Sequence, residues 1–136
     1  QVEVVPMEPA TVSENIYVDF EDAQVNMWYV NWSASDFSTD SSMRNLLHSS
    51  MIPPTSANAA YYDNLNFDEA LDSGLAATDE EEQKEFYQTA QEIAWSDAPW
   101  LFLGTDQIVY AVTDSASGAY VTPDGTIRYQ NVTVTE

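Results

Sequence analysis

Serine and aspartate side chains crowd the segment "NWSASDFSTDSS" at residues 31–42, directly after the apolar stretch "MWYV". A polar loop between a strand and a helix is the usual position of a ligand in an α/β protein. Trp32 could form the wall of such a site, and Asp36 could pair with an amine. Ser33 and Ser35 could offer hydroxyl and backbone groups. The same residue types also serve as turn and cap residues, so both interpretations stay open.

Arg44 follows this loop and is one of only three basic residues in the chain. The first turn of a helix is unfavourable for a cation, which suggests that Arg44 holds a ligand carboxylate through two parallel N–H groups. A salt bridge to one of the many nearby acids is at least as good an interpretation.

Patterns typical of catalysis or metal binding have little support. The serines lack both a nucleophile-elbow glycine pattern and a paired histidine, because His48 is the only histidine and suits a helix cap. Zero cysteines exclude a cysteine-ligated zinc site, and "DEEE" at residues 79–82 lacks the spacing of a calcium loop. We therefore expect no catalytic residue, no metal and no cofactor. Asp36 and Asp40 leave a carboxylate-dependent hydrolase as an alternative.

Composition limits the partners of the chain. It has 136 residues, 44% of them hydrophobic, which is enough for one domain with a core. The 23 acidic residues against 3 basic ones give a net charge of −20. Such a surface repels phosphate backbones and anionic lipid head groups. We therefore expect no nucleic-acid partner and no binding to a membrane surface.

Strand patterns occur at both ends of the chain. Branched and aromatic residues predict a strand at residues 2–7, and another at residues 27–32 that is apolar on both faces and therefore central in a sheet. From Trp100 onward, "WLFLG", "IVYAV", "GAYV" and "IRYQNVTV" predict further strands, with a hairpin turn at "PDG".

Helical periodicity dominates the middle of the chain. It predicts consecutive helices at residues 66–77 and 79–97, packed on the sheet that contains residues 27–32. The predicted N-caps are Asn66 and Thr78, and Pro99 ends the second helix by making Ala98 extended. A helix capped by Asp40 and a short one around residues 12–20 precede them. The predicted buried residues are Met43, Leu46, Leu47, Phe67, Ala70, Leu71, Leu75, Phe86, Ala90, Ile93 and Ala94.

Several longer motifs together carry a family resemblance. "NWSAS" after an apolar strand, "RNLLHSSMIPPT", "NAAYYDNLNFDEAL", "EEQKEFYQTAQEIAWSDAPWLFLG" and "YVTPDGTIRY" resemble the C-terminal part of the peptide-binding family (family 5) of ABC-transporter solute-binding proteins. The arginine, the double proline and "YY" are most similar to the glutathione- and dipeptide-binding branch.

The resemblance implies an α/β fold, a periplasmic-binding-protein-like lobe of class II type with a β-rich C-terminal tail. Residues 1–103 would belong to the C-terminal ligand-binding lobe, and residues 104–136 would be a crossover tail joining the N-terminal lobe of a longer protein. The loop after "NWS" would face the cleft between the lobes. The family uses an aspartate for the ligand's amine, but Ser35 aligns with it here and Asp36 comes one residue later.

The function implied is that of the substrate-binding component of an ABC importer, which captures a peptide-like solute and delivers it to permease subunits. Its location would be extracytoplasmic, as a periplasmic protein or a cell-surface lipoprotein whose lipid anchor lies on a missing N-terminus. The alternatives are the hydrolase fragment and a structural, adhesion-type extracellular domain, which the β-rich tail favours.

Overall fold

The computed structural model of the protein describes residues 2–34 and 36–135. Its helices are α1 (Pro9–Ile16), α2 (Thr39–Leu47), α3 (Leu65–Ala76) and α4 (Glu80–Asp97), with short 3₁₀ helices at Phe20–Asp22 and Ser49–Met51. Its strands are β1 (Ala116–Ser117), β2 (Tyr120–Val121), β3 (Ile127–Arg128) and β4 (Thr133–Val134).

Helices α3 and α4 form a hairpin, and each begins at a side chain that satisfies free N–H groups. The Asn64 carboxamide oxygen accepts hydrogen bonds from the N–H groups of Asn66 and Phe67, at 2.9 and 3.3 Å. The Asp79 carboxylate accepts from Glu81 and Glu82 at 3.1 and 3.0 Å. These caps define the helix starts, because the first N–H groups of a helix have no partner within it.

The core lies between α2, α3 and α4. Phe67 and Leu71 are completely buried, and Tyr87 of α4 packs beside Gly74 of α3. A Cβ atom at Gly74 would lie 2.7 Å from Cε1 of Tyr87, so this crossing needs glycine. The buried cluster consists of Leu46, Leu47, Phe67, Ala70, Leu71, Tyr87, Ala90 and Ala94.

Polar contacts fix both ends of the helical hairpin. Near the interhelical turn, the Gln83 side chain donates a hydrogen bond to the Gly74 carbonyl at 3.0 Å. At the other end, the Tyr62 hydroxyl and the Asn64 amide both donate to the Asp97 carboxylate at 2.6 Å. The hydroxyl of Tyr62 and the amide of Asn64 lower the pKa of Asp97.

The two long helices were predicted within one residue at their ends, but their caps and faces need correction. The N-caps are Asn64 and Asp79 rather than Asn66 and Thr78, and Ser38 rather than Asp40 caps α2. The Asn64 and Asp79 side chains reach the second and third N–H groups of α3 and α4, and the Ser38 side chain reaches the third N–H group of α2. Ala98 is left-handed (φ 49°, ψ 52°) instead of extended, which also avoids the right-handed region that Pro99 disfavours.

The prediction of buried residues was confirmed in most positions. Leu75 is exposed, because α4 crosses α3 at Gly74 and turns the contact face away from Leu75. Ile93 is half-buried against the core rather than buried. Phe86 is half-buried as well, since the neighbouring Tyr87 takes the core position.

The strand predictions succeed only in the tail. There β1 pairs with β4 (Ala116 opposite Val134) and β2 pairs with β3 (Tyr120 opposite Arg128), both antiparallel. The hairpin at "PDG" is confirmed, with Gly125 at φ +82° closing the β2–β3 turn. Gly125 suits this position because a side chain disfavours positive φ.

The predicted strands at residues 2–7 and 27–32, and those between residues 100 and 112, are wrong for this chain. All three segments are unpaired and largely exposed, so α3 and α4 do not pack on a sheet. A strand needs a hydrogen-bonded neighbour, which the described residues do not supply.

The architecture is therefore a mixture of helix and strand, compatible with the α/β class. The class II binding-protein lobe stays a prediction. Within the described ranges, the chain has no helix of the length and apolar character needed to cross a membrane.

Candidate functional site

The loop before α2 is organised by Asp36. One carboxylate oxygen accepts a hydrogen bond from the Ser41 hydroxyl at 2.7 Å, and the other accepts from the Ser38 N–H at 3.0 Å. The Ser41 hydroxyl, and after it the Ser38 N–H, lower the pKa of Asp36 below its ordinary value. The Ser38 hydroxyl in turn caps α2 by accepting from the Ser41 N–H at 3.4 Å. Asp36 is thus held ionised at the start of a helix.

A shallow groove of about 310 Å³ lies beside this loop. Phe37 stands at its rim with φ 56°, a left-handed conformation that is rare for a bulky residue. The groove runs between the start of α2 and the side of α4, and its lining residues are Phe37, Thr39, Ser42, Met43 and Gln91. It offers aromatic and thioether surface together with hydroxyl and amide groups.

Arg44 points to a different side of α2. Its Nε and Nη2 donate to the two carboxylate oxygens of Asp40 at 2.8 and 2.9 Å, and its Nη1 donates to Asp72 of α3 at 2.8 Å. The Asp40 hydrogen bonds are the largest cause of the raised pKa of Arg44, which burial opposes. The Arg44 hydrogen bond also lowers the pKa of Asp72. The two acids therefore neutralise a guanidinium whose side chain is 15% exposed.

His48 caps the 3₁₀ turn Ser49–Met51, in line with the sequence interpretation. Its Nδ1 accepts a hydrogen bond from the Ser50 N–H at 3.1 Å, while its Nε2 lies 3.5 Å from Asp72 without a hydrogen bond. Asp68 of α3 accepts hydrogen bonds from the N–H and hydroxyl of Ser49. This cluster ties the turn to α3, and no group of three metal-binding side chains occurs among the described residues.

The structure separates the predicted site residues into two places. Trp32 is 42% exposed and Ser33 is also exposed, both in the extended segment that leads to Asp36. Ser35 lies outside the described residues. Across residues 2–34 and 36–135, no hydrogen bond or ion pair joins Arg44 to Asp36. Arg44 forms a salt bridge, which was the alternative to ligand binding in the sequence analysis.

Sequence reasoning missed Phe37, Met43 and Gln91 as possible ligand contacts. Met43 was assigned to the core, and it does pack partly against the core as well as lining the groove. Gln91 is 48 residues from Met43 along the chain, so only the folding of α4 against α2 brings them together. Gln91 lies on the polar face of α4, and the sequence around it does not indicate a contact with α2.

The arrangement suits binding better than proton transfer. A carboxylate whose pKa is lowered by two hydrogen bonds pairs readily with a cationic amine, but it is a poor general acid. Asp40, the other half of the carboxylate pair considered for a hydrolase, is occupied by Arg44 on both oxygens. The geometry therefore gives the hydrolase alternative no support.

Sequence comparison finds several curated relatives, whereas no family model matches. The chain is 36% identical over 112 residues to glutathione-binding protein GsiB of Pectobacterium atrosepticum, which covers 82% of this chain and 22% of the relative. It is 34% identical over 104 residues to GsiB of Salmonella typhimurium (76% and 20%), and 32% identical over 111 residues to GsiB of Escherichia coli K12 (82% and 22%). The chain spans about a fifth of the length of these relatives.

Proposed function

The chain belongs to the peptide-binding family (family 5) of ABC-transporter solute-binding proteins and matches their C-terminal part, and from this premise we propose that it supplies part of the ligand-binding surface of such a receptor. Its relatives are named for glutathione, a peptide-like solute that carries an amine and carboxylates. The observation that supports this proposal most directly is the ionised, hydrogen-bonded carboxylate of Asp36 beside an open groove.

In the proposed site, Asp36 pairs with the ligand's amine, and Trp32 lines the ligand with its exposed ring. Ser33 and Ser35 provide hydroxyl and backbone hydrogen bonds. Each polar contact gains strength when a second lobe closes and excludes water, since charge pairs interact more strongly away from solvent.

Arg44 lies on a different side of α2 from Asp36, so in this proposal it would contact a separate carboxylate of the ligand through an exchange of partners. Asp40 holds two of its nitrogens, whereas Asp72, whose side chain is 64% exposed, holds the third. A ligand carboxylate would replace Asp72 on Nη1 while Asp40 keeps the guanidinium in place. Such an exchange keeps Arg44 neutralised throughout.

Titration calorimetry of the full-length protein with glutathione and short peptides tests the proposal. We expect Asp36→Ala to weaken binding about 30-fold or more, as expected for a charge pair that is buried on closure. Glu81→Ala, on the solvated start of α4, is the matched control and should leave the affinity unchanged. Equal affinities for the two variants would show that Asp36 is only a turn residue.

Arg44 requires a second variant, because its removal also leaves Asp40 and Asp72 without their cation. Arg44→Ala should weaken binding to a similar degree, but thermal unfolding must accompany the titration. Asp72→Asn removes the competing carboxylate and should strengthen binding, which a purely structural salt bridge would not produce. If Asp72→Asn leaves the affinity unchanged, Arg44 does not bind the ligand.

The partners and location follow from the same premise. We propose that the full-length protein acts outside the cytoplasm, in the periplasm or as a lipoprotein, and delivers its solute to ABC permease subunits. Residues 1–103 would belong to one lobe and residues 104–136 to the crossover into the other. The role requires no catalysis, and we propose none.

A further inference from the structure

The His48 imidazole carries a buried donor group that has no acceptor. The residue is 8% exposed, and its Nε2 makes no hydrogen bond to any part of the chain that the structure describes. Burial removes water from such a group, and without a new partner this loss is uncompensated, so folded proteins rarely leave one in this state. An unpaired buried group of this kind indicates a partner that it gains in another state of the protein.

The opposite ring nitrogen fixes where the proton of His48 lies. Nδ1 accepts a hydrogen bond from the Ser50 N–H at 3.1 Å, and a backbone N–H can only donate, so the neutral ring carries its proton on Nε2. Asp68 lies on the Nδ1 side, 3.7 Å from that atom, and already accepts from the Ser49 N–H at 3.2 Å. The carboxylate that lies beside Nε2 is instead that of Asp72.

One oxygen of Asp72 lies between two donors. Its Oδ1 accepts from Nη1 of Arg44 at 2.8 Å and lies 3.5 Å from Nε2 of His48. An N–H···O hydrogen bond has a length of about 2.9 Å, so a shift of about 0.6 Å would complete the bond to His48. The Asp72 side chain is 64% exposed and has room for such a movement. A second partner for this carboxylate is therefore within reach of the first.

We propose that His48 is the alternative partner of Asp72 and takes up its carboxylate whenever another carboxylate binds Nη1 of Arg44. The inference rests on the proposed function, in which the carboxylate of a peptide-like ligand is that competitor. His48 is then a positioning residue, because it contacts Asp72 and not the ligand. It holds the displaced carboxylate away from the guanidinium and gains an acceptor for its own Nε2–H. The exchange therefore favours ligands that carry a carboxylate at this point over neutral ones.

A double variant of the full-length protein tests the pairing without any ligand. Asp40→Asn/Arg44→Met removes the guanidinium together with its buried acid, so that no buried charge is left unpaired. Nuclear magnetic resonance should then show the Nε2–H of His48 exchanging with water at least about 10-fold more slowly than in the unmodified protein, because it gains a hydrogen bond to a carboxylate. The signal is assigned by its loss in His48→Asn. Adding Asp72→Ala to the double variant should abolish the protection.

Glutathione added to the unmodified full-length protein should give the same protection of the His48 Nε2–H. Unchanged exchange in the folded double variant would overturn the role of His48, whether or not glutathione binds. Protection in the double variant that glutathione does not reproduce would support the pairing with Asp72 and overturn the ligand exchange at Arg44. The inference and the proposed function therefore fail separately.

Two matched substitutions of His48 give a second test, which does not depend on the folding of the double variant. His48→Asn keeps a side-chain oxygen for the Ser50 N–H but has no group at the position of Nε2, whereas His48→Gln keeps an N–H near that position and loses the cap. In titration calorimetry of the full-length protein, His48→Asn should weaken glutathione binding about 10-fold, because the displaced Asp72 finds no donor. His48→Gln should stay within about threefold of the unmodified affinity.

Melting temperatures should show the opposite order, with His48→Gln the less stable variant because it lacks the cap of the turn at residues 49–51. In an Asp72→Ala background, His48→Asn should cause no further loss of affinity, since the two residues act as a pair. A purely structural histidine would make His48→Gln the poorer variant in both measurements, and that result would overturn the inference.

Discussion

The helical hairpin α3–α4 and the extended segments at residues 27–33 and 101–112 both contain many large apolar residues, yet only the hairpin buries them. Phe67 and Leu71 are inaccessible to solvent, whereas Leu101 and Val109 are more than four-fifths exposed. A helix satisfies its backbone hydrogen bonds within one segment, and a short turn brings the next helix against it. A strand depends on a neighbour that the same stretch of chain does not provide. Local hydrogen bonding thus decides which part of a protein can fold by itself.

Truncation of one large side chain in each region should give the largest contrast. Leu71→Ala should lower the free energy of unfolding of the 136-residue chain by about 2–5 kcal/mol, because it leaves a cavity in a packed core. Val109→Ala should change it by less than about 0.5 kcal/mol, because the side chain is exposed. Chemical denaturation followed by circular dichroism measures both. Similar losses for the two variants would contradict the difference in burial between Leu71 and Val109.

A smaller effect is expected where α3 and α4 cross. In Gly74→Ala the added methyl group meets the buried ring of Tyr87, and such overpacking costs about 1–3 kcal/mol. Alanine returns about 1 kcal/mol through its helix propensity, so the free energy of unfolding should fall by up to about 2 kcal/mol. Thermal or chemical unfolding provides the measurement. Leu75→Ala, one residue further on and exposed, is the control, and a more stable Gly74→Ala variant would show that the helices cross elsewhere.

The smallest effect is expected in the β2–β3 hairpin, where a short turn brings the two strands together. Hydrogen bonds from the Thr122 hydroxyl, and then from Thr126, lower the pKa of Asp124 to about 2. A lowered pKa means that the ionised form stabilises the folded turn, so this contribution is complete above the ordinary aspartate pKa of about 3.9. It is lost as the pH falls through about 2.

Nuclear magnetic resonance can follow this titration through the Thr126 amide, which donates to Asp124 at 3.2 Å. Its midpoint should lie near pH 2 and disappear in Asp124→Asn, while the amides of α3 and α4 keep their shifts in that variant. A midpoint near pH 4 would mean that the turn leaves Asp124 unperturbed.

The candidate site was predictable only in part. The residue types around Asp36 indicated a polar, capped loop, and the structure shows that loop with Ser38 and Ser41 bound to the carboxylate. The salt bridge from Arg44 to the nearby Asp40 was within reach of the sequence, but its second partner was not, because the carboxylate of Asp72 comes from another helix, 28 residues away. The position of Gln91 in the groove was not predictable either, because Gln91 belongs to a different helix from the other lining residues.

The helices could be predicted from the sequence alone, because apolar periodicity and capping side chains act within a few residues. Residues 66–77 and 79–97 were predicted almost to their ends on that basis, and so was the turn at Gly125. The exposure of Leu75 and the ion pair from Arg44 to α3 depend instead on how the helices pack against one another. Whether residues 27–32 form a strand also depends on tertiary contacts. Hydrophobic alternation and strand propensity show that a segment can pair, but a strand forms only when a second segment lies beside it.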